Sequence, residues 1–197
     1  MASPPHFISI SLFEELRGER VVVRPYRMED AAELQAAVAE SRSHLLPWLP
    51  WAAQGHQTVD DSRETIARFM AQWLLREDMT VALFDAASGR LVGGGGLHPH
   101  DWQARVFEIG YWTRAGEQGK GYITEVTRLL TEFAARQLSA NRVFIRCDAR
   151  NTRSAAVPQR LGFLREALLR NEMYTYDGKL RDTLVFALVP GDPAWPA

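Results

Sequence analysis

The 197-residue sequence has little of what marks secreted, membrane-spanning or nucleic-acid-binding proteins. It holds one cysteine, Cys147, so no intrachain disulfide can form, and this suits a reducing compartment. Its apolar runs stay well short of the roughly 20 residues that cross a membrane, and Met1 to Phe13 lack the basic start of a signal peptide. The formal net charge of −1 gives no overall field that would attract nucleic acid or an anionic membrane. We therefore expect a cytoplasmic protein with no nucleic-acid or membrane partner.

What is present is the composition of a globular protein, with 46% hydrophobic and 24% charged residues. The length suits one α/β domain with a real core and is short for two. The sequence has no internal repeats, and no linker divides it. We therefore expect a single domain over 1–197, with a loose lead-in over 1–17 and a loose tail over 190–197.

Hydrophobic spacing and turn signals predict a mixture of helices and strands. Asp177-Gly178 between two apolar runs is a strong hairpin signal, and Thr58 followed by Asp61 resembles a capping box at a helix start. The fold class is α/β, with a central mixed, mostly antiparallel sheet flanked by helices. Strands are predicted over 21–23, 80–85, 91–98, 106–113, 142–148, 163–176 and 180–189. Helices are predicted from 30 onward and over 58–76, 122–137 and 152–161.

The stretch from Gln118 to Thr124 carries the strongest local signal. It lies between a predicted strand and a predicted helix, with glycines at 116, 119 and 121. Glycine lets the backbone come close to a ligand because no Cβ stands in the way. A helix start directs free N–H groups and a positive dipole end into such a loop, which is the arrangement that holds a phosphate or pyrophosphate. The loop brings no catalytic group, so the chemistry must be anchored elsewhere.

Two motifs at this spacing resemble one family. The strand Glu108-Ile109-Gly110-Tyr111-Trp112 precedes the loop Gln118-Gly119-Lys120-Gly121-Tyr122, and Asn151-x-x-Ser154 leads to Leu161-Gly162-Phe163. A Gly-x-Gly loop alone would be weak evidence, but the three blocks together are specific. They resemble the GCN5-related N-acetyltransferases (GNAT), and among them the RimJ/RimL type, which acetylates the N-termini of ribosomal proteins. The resemblance covers about 21–189.

The resemblance implies an enzyme that moves an acetyl group from acetyl-CoA to a primary amine, by direct attack in a ternary complex and without a metal. It places the pyrophosphate on the backbone N–H groups of the loop and helix start. The pantetheine arm would lie along the preceding strand, with Asn151 and Ser154 on its other side. The implied cofactor-binding residues are Tyr111, Trp112, Thr113, Gln118, Gly119, Lys120, Gly121, Tyr122, Ile123, Thr124, Asn151 and Ser154.

Two positions depart from the family pattern. Gly116 stands where the wider family usually has Gln or Arg, so we expect a more flexible loop with one polar contact fewer. Pro158 stands where many relatives carry a Tyr that protonates the departing thiolate, which rules out a Tyr acid at that position. Proline also lacks the N–H that would bond the Ser154 carbonyl in a helix, so a local kink is expected.

Glu108 and Ser154 are the candidate catalytic residues. Glu108 starts the strand beside the acyl site and could take the amine proton directly or through a water; the alternative is a solvent-facing residue paired with a neighbouring Arg. Ser154 matches the family position proposed to protonate the thiolate, and its alternative is a capping or helix-surface serine. Asn151, which the resemblance implies as a cofactor-binding residue, could instead be a plain helix N-cap. A backbone N–H near Tyr111 or Trp112 is the expected oxyanion donor.

Gly95 and His98 are expected on the side of the acceptor. Gly95 belongs to the run Gly93–Gly96, which would give room to an acceptor peptide, or would mark a bulge or the close approach of another backbone. His98 is a reserve base. His98 and His100 lack the third ligand of a usual metal site, so no metal is expected.

Trp48 and Trp51 lie in a Pro- and Trp-rich segment that resembles the variable substrate region of the family. These two tryptophans, together with Trp102, could form a wall of the acceptor site. The alternative is that they are core or dimer contacts, since aromatic residues are more often core than recognition residues.

Three functions stay open from the sequence. The first is an N-acetyltransferase acting on the N-terminal α-amine of a protein, and the second is the same chemistry on a polyamine, amino acid or drug amine. The third is a non-catalytic module that binds acyl-CoA. A nucleoside-triphosphate site is disfavoured because Lys120 is followed by Gly121, where the usual motif has a Mg²⁺-binding Ser or Thr. A homodimer is compatible with the resemblance, because dimers are common among such relatives.

Overall fold

The computed structural model describes residues 7–196, and its centre is one eight-stranded sheet. The strands are β1 (Leu16–Arg17), β2 (Val21–Pro25), β3 (Met79–Asp85), β4 (Leu91–Asp101), β5 (Val106–Thr113), β6 (Arg142–Asp148), β7 (Leu164–Tyr174) and β8 (Leu180–Leu188). The helices are α1 (Ala31–Leu45), α2 (Val59–Leu75), α3 (Tyr122–Gln137) and α4 (Thr152–Arg160). The strands lie in the order β1-β2-β3-β4-β5-β6-β8-β7, and every neighbouring pair is antiparallel except β5 with β6. The predicted fold class is therefore confirmed.

The two faces of the sheet carry different helices. Side chains alternate along a strand, so Val21 and Val23 of β2 join the core under α3 and α4, whereas Val22 joins the core under α1 and α2. We call these the α3/α4 face and the α1/α2 face. No helix within residues 7–196 has the length and apolar character that a membrane span requires.

Local sequence signals set several of the element bounds. Strand β5 and helix α3 begin and end at the predicted residues. The capping box at the start of α2 is confirmed: the N–H of Asp61 donates to Thr58 Oγ1 at 3.1 Å, and the N–H of Thr58 donates to Asp61 Oδ2 at 2.9 Å. Such reciprocal bonds satisfy N–H groups that have no partner inside the helix.

Apolar side chains near both ends of the chain pack against the core of the α3/α4 face where the structure describes them. The Phe13 ring lies edge-on to Trp73 at 5.2 Å and to Phe133 at 4.8 Å, both measured between ring centroids. At the other end, Trp195 packs against the core of the α3/α4 face. Burial of these aromatic rings stabilises segments whose own sequence has no strong helix or strand signal. Residues 1–6 and 197 lie outside the described part of the chain.

Candidate active site

Strands β5 and β6 pair over only three residues, Val106–Glu108 against Arg142–Phe144. Beyond Glu108 each strand keeps its other neighbour, β4 for β5 and β8 for β6, so the two diverge. We call the resulting wedge the fork. Helix α3 follows β5 and helix α4 follows β6, so both helices begin at the open end of the fork. The divergence leaves the inner edge of β5 from 109 to 113 without a strand partner in the described part of the chain, and such an edge can bind an extended ligand.

Two glycines of the loop have positive φ angles. Gly119 has φ +75° and Gly121 has φ +87°, values that L side chains rarely adopt, and a Cβ added at either would meet nothing within 4 Å. The first helical bond of α3 runs from the N–H of Glu125 to the carbonyl of Gly121, at 3.1 Å. The N–H groups of the residues before Glu125 therefore have no acceptor inside the helix. They lie at the positive end of the helix dipole.

Two side chains of the loop are bound by acidic residues of the protein. The Tyr122 hydroxyl donates to Asp85 Oδ2 at 2.6 Å, and the Lys120 ammonium donates to Glu117 Oε2 at 2.7 Å. The hydrogen bond to Asp85 raises the pKa of Tyr122 to about 12. Glu117 is buried and is also bound by Arg90. These contacts hold the loop in place, and its residues 119–121 are exposed.

The other arm of the fork carries Asn151 and Ser154. Asn151 Oδ1 accepts from the Ser154 N–H at 3.0 Å, so Asn151 is the N-cap of α4, as its alternative interpretation has it. Arg153 reaches across the mouth of the fork and donates to Gln118 Oε1 at 2.6 Å. The glycine loop and the start of α4 are therefore bonded to each other by their side chains.

Pro158 leaves a carbonyl free, and the structure supplies its partner. The Ser154 carbonyl accepts from the Tyr111 hydroxyl at 3.0 Å, while the Ser154 hydroxyl lies 3.4 Å from the same Tyr111 oxygen. Helix α4 continues through Pro158 to Arg160. Burial raises the pKa of the neighbouring Cys147 thiol to about 11, so it is a neutral thiol at pH 7. Tyr111 of β5 therefore holds Ser154 at the inner side of the fork.

Glu108 forms the ion pair that its alternative interpretation describes. Arg146 Nε and Nη2 donate to the two Glu108 oxygens at 3.1 and 3.0 Å, and Arg146 Nη1 donates to Glu172 at 3.2 Å. The hydrogen bond to Glu108 raises the pKa of Arg146. A catalytic role for Glu108 stays a prediction.

The three tryptophans lie in different surroundings. Trp51 is 39% exposed and lies edge-on to Trp112 of β5, with 6.1 Å between ring centroids, so it stands beside the fork on the α1/α2 face. Trp48 is half-buried and precedes it on the same connection between α1 and α2. Trp102 packs edge-on against Phe107 at 5.1 Å, next to the core, as its alternative interpretation states.

The glycine run in β4 is explained by close approach. A Cβ on Gly93 would lie 2.3 Å from the Trp112 carbonyl oxygen, and one on Gly95 would lie 2.7 Å from the Gly110 carbonyl oxygen. On Gly95 it would also approach Tyr111, on the α3/α4 face. Gly95 and Trp51 therefore lie on opposite faces of the sheet. They cannot line one acceptor site together on the same face.

His98 points back along β4 on the α1/α2 face. Its Nδ1 lies 2.6 Å from Asp78 Oδ1, and the His98 and Asp78 side chains are 36% and 28% exposed. Asp78 was missed by sequence reasoning, although the hairpin register brings it here: Met79 pairs with Leu97, so the residue before Met79 falls beside His98. No group of three His, Cys, Asp or Glu side chains among the described residues is arranged to hold a metal ion.

Comparisons with known proteins identify the family of the chain. The acetyltransferase (GNAT) domain family matches residues 20–164. The Bacillus subtilis (strain 168) protein named "Putative ribosomal N-acetyltransferase YdaF" is 33% identical over 175 residues, 87% of this chain and 92% of that protein. The ribosomal-protein-serine acetyltransferase of Escherichia coli (strain K12) is 33% identical over 145 residues, 73% of this chain and 79% of that protein.

Among solved structures, the microcin C7 self immunity acetyltransferase MccE in complex with acetyl-CoA and AMP has the same fold. Its TM-score is 0.81 at 21% identity, and the match covers 87% of this chain and 93% of that one. The family match spans more than half of the chain, and YdaF matches along nearly the whole of it. The chain therefore belongs to the GNAT acetyltransferase family and is an acetyl-CoA-dependent acyltransferase.

Proposed function

We propose that this enzyme acetylates the N-terminal α-amine of a protein, with ribosomal proteins as the acceptor class. The names of the two relatives support this acceptor class. The observation that carries the proposal is the charge pattern beside the fork on the α1/α2 face. Glu108 and Glu172 are both bound by Arg146, and Asp78 is bound by His98. This is not the dense acidic cleft that would favour a polycationic small amine.

The donor fits the glycine loop and the edge of β5. The pyrophosphate of acetyl-CoA would be held by backbone N–H groups at the start of α3, where Gly119 and Gly121 leave open space. Gln118, Ile123 and Thr124 would line the same site. Bound there, the donor supplies an acetyl group activated as a thioester.

The pantetheine arm would lie in the fork, along the unpaired edge of Tyr111, Trp112 and Thr113, with Asn151 and Ser154 opposite. A backbone N–H of this edge would stabilise the oxyanion. The Ser154 hydroxyl would donate a proton to the thiolate, and Tyr111 would hold that serine in place.

The test is a thiol-release assay with acetyl-CoA and a panel of acceptors. We expect the highest kcat/KM for peptides with a free N-terminus, and no release with the same peptides blocked at the N-terminus. A higher kcat/KM for polyamines, amino acids or drug amines would show that the acceptor is a small amine. Acetyl transfer from acetyl-CoA would still be the reaction. No release with any amine, together with normal binding of acetyl-CoA, would identify a binding module.

Ser154→Ala is expected to lower kcat about 10- to 100-fold, because general acid catalysis contributes about 10²–10⁴-fold and water can replace part of it. The contact with Tyr111 survives, since it uses the Ser154 carbonyl. The KM for acetyl-CoA should therefore change little. Steady-state kinetics would measure both constants, with Thr152→Ala as the control because Thr152 is an exposed residue in the same turn. An unchanged kcat in the Ser154→Ala enzyme would remove the serine from the mechanism.

A further inference from the structure

The His98 ring occupies space that two glycines leave open. A Cβ on Gly96 would lie 2.5 Å from His98 Cε1, and a Cβ on Gly110 would lie 3.0 Å from His98 Nε2. Gly96 of β4 and Gly110 of β5 are direct neighbours in the register. The imidazole therefore lies flat against the sheet across these two strands, and any side chain at either glycine would displace it.

This position is at the apex of the fork. Glu108 is the last residue of β5 that pairs with β6, and Gly110 is the next residue of β5 on the same face. Trp112, which Trp51 contacts, follows Gly110 on that face. His98 Nε2 thus lies where the inner edge of β5 becomes free, on the side lined by Trp51.

Asp78 determines which ring nitrogen can accept a proton. An ionised carboxylate only accepts hydrogen bonds, so its 2.6 Å contact with Nδ1 requires the proton to be on Nδ1. Nε2 then carries the lone pair in the neutral imidazole, and Nε2 is the nitrogen that faces Gly110. Glu108 lies opposite His98 in the register, but both of its oxygens are bound by Arg146.

We propose that His98 is the general base that takes the proton of the acceptor amine, and that Asp78 is the positioning residue that orients it. This assignment rests on the proposed acetyl transfer. In that reaction the amide N–C bond forms and the thioester C–S bond breaks. The proton that leaves nitrogen goes to His98 Nε2, and the thiolate gains one from Ser154. His98 then releases its proton to solvent and Ser154 regains one from solvent, so no further reactant is needed.

The orientation can be tested in the resting protein by ¹⁵N NMR of labelled histidine. We expect the His98 signals of the Nδ1–H tautomer. Asp78→Asn should shift the population towards the Nε2–H tautomer, because an amide can donate to Nδ1. A His98 that already has the Nε2–H tautomer in the wild type would overturn the proposal without any measurement of acetyl transfer.

Kinetics test the base itself, with peptides as acceptors. We expect His98→Gln to lower kcat about 100-fold and Asp78→Asn to lower it about 10-fold, while the KM for acetyl-CoA stays within about twofold. His100→Gln is the matched control, since His100 is an exposed histidine on the same strand. Thermal unfolding of each variant would separate loss of activity from loss of fold.

Two kinetic results would overturn the proposal. One is a folded His98→Gln enzyme with the kcat of the wild type, and the other is a larger loss for Glu108→Gln than for His98→Gln. Both leave the proposed function standing, because the wild type is active in each. If the wild type released no thiol with any amine, that result would contradict both the proposed function and the assignment of His98 as its base.

Discussion

Gly93→Ala is expected to destabilise the protein by about 3 kcal/mol, because overpacking of a well-packed interior costs about 1–3 kcal/mol and the clash here is with backbone. The new Cβ would lie 2.3 Å from the Trp112 carbonyl oxygen and 3.2 Å from Thr113 Cα. Neither atom can move without separating β4 from β5, which pair along their length at the centre of the sheet. The expected drop in Tm is about 10 °C, since 1 kcal/mol corresponds to about 2–4 °C at this size.

Thermal and denaturant unfolding would measure the effect, with Gly116→Ala as the control. A Cβ on Gly116 would meet its nearest atom, Glu40 Oε1, at 3.7 Å, which is an ordinary contact. That variant should therefore stay within about 0.5 kcal/mol of the wild type. Equal stability of the two alanine variants would contradict the close approach of β4 and β5 at Gly93.

Gly121→Val is expected to weaken the binding of acetyl-CoA about 100-fold. A β-branched residue at φ +87° is strained by about 1–3 kcal/mol, so the free loop would relax and binding would have to restore the strained form. A cost near 3 kcal/mol corresponds to about two factors of ten.

The matched control for this variant is Gly178→Val in the turn between β7 and β8. Gly178 has φ +78° and a Cβ there would also meet nothing within 4 Å, so the backbone strain is the same and the fork is not involved. Calorimetric titration with acetyl-CoA should give a wild-type Kd for the Gly178 variant. Similar Kd values for both variants would show that acetyl-CoA does not bind at the glycine loop.

The regular elements could be predicted from the sequence because their signals are local. A capping box, a turn and an apolar period each involve residues within one element, and β5 and α3 accordingly have the predicted bounds. The ends of the chain could not be predicted in this way. Phe13 is ordered by Trp73 and Phe133, which are distant in sequence, and no local pattern in 7–17 indicates those partners.

In the candidate site, too, features within one element could be predicted from the sequence, and contacts between elements could not. The free Ser154 carbonyl follows from Pro158 alone, because the missing N–H belongs to the same helix. Its partner, Tyr111, comes from another element, and identifying it requires the order of β5, β6 and α4 in space. The ion pair of Glu108 with Arg146 likewise depends on the pairing of β5 with β6, which the sequence does not state.

The glycine run of β4 limits how this sequence can change during evolution. A side chain at Gly93 or Gly95 would clash with a backbone carbonyl of β5. Because a substitution elsewhere does not remove a backbone carbonyl, either glycine can be replaced only if the pairing of β4 with β5 changes. Gly96 is blocked by the imidazole of His98, and one replacement at position 98 would release it. Among homologues of this chain, a residue other than glycine at position 96 should therefore occur only where position 98 is not histidine, whereas 93 and 95 should stay glycine whatever residue follows them.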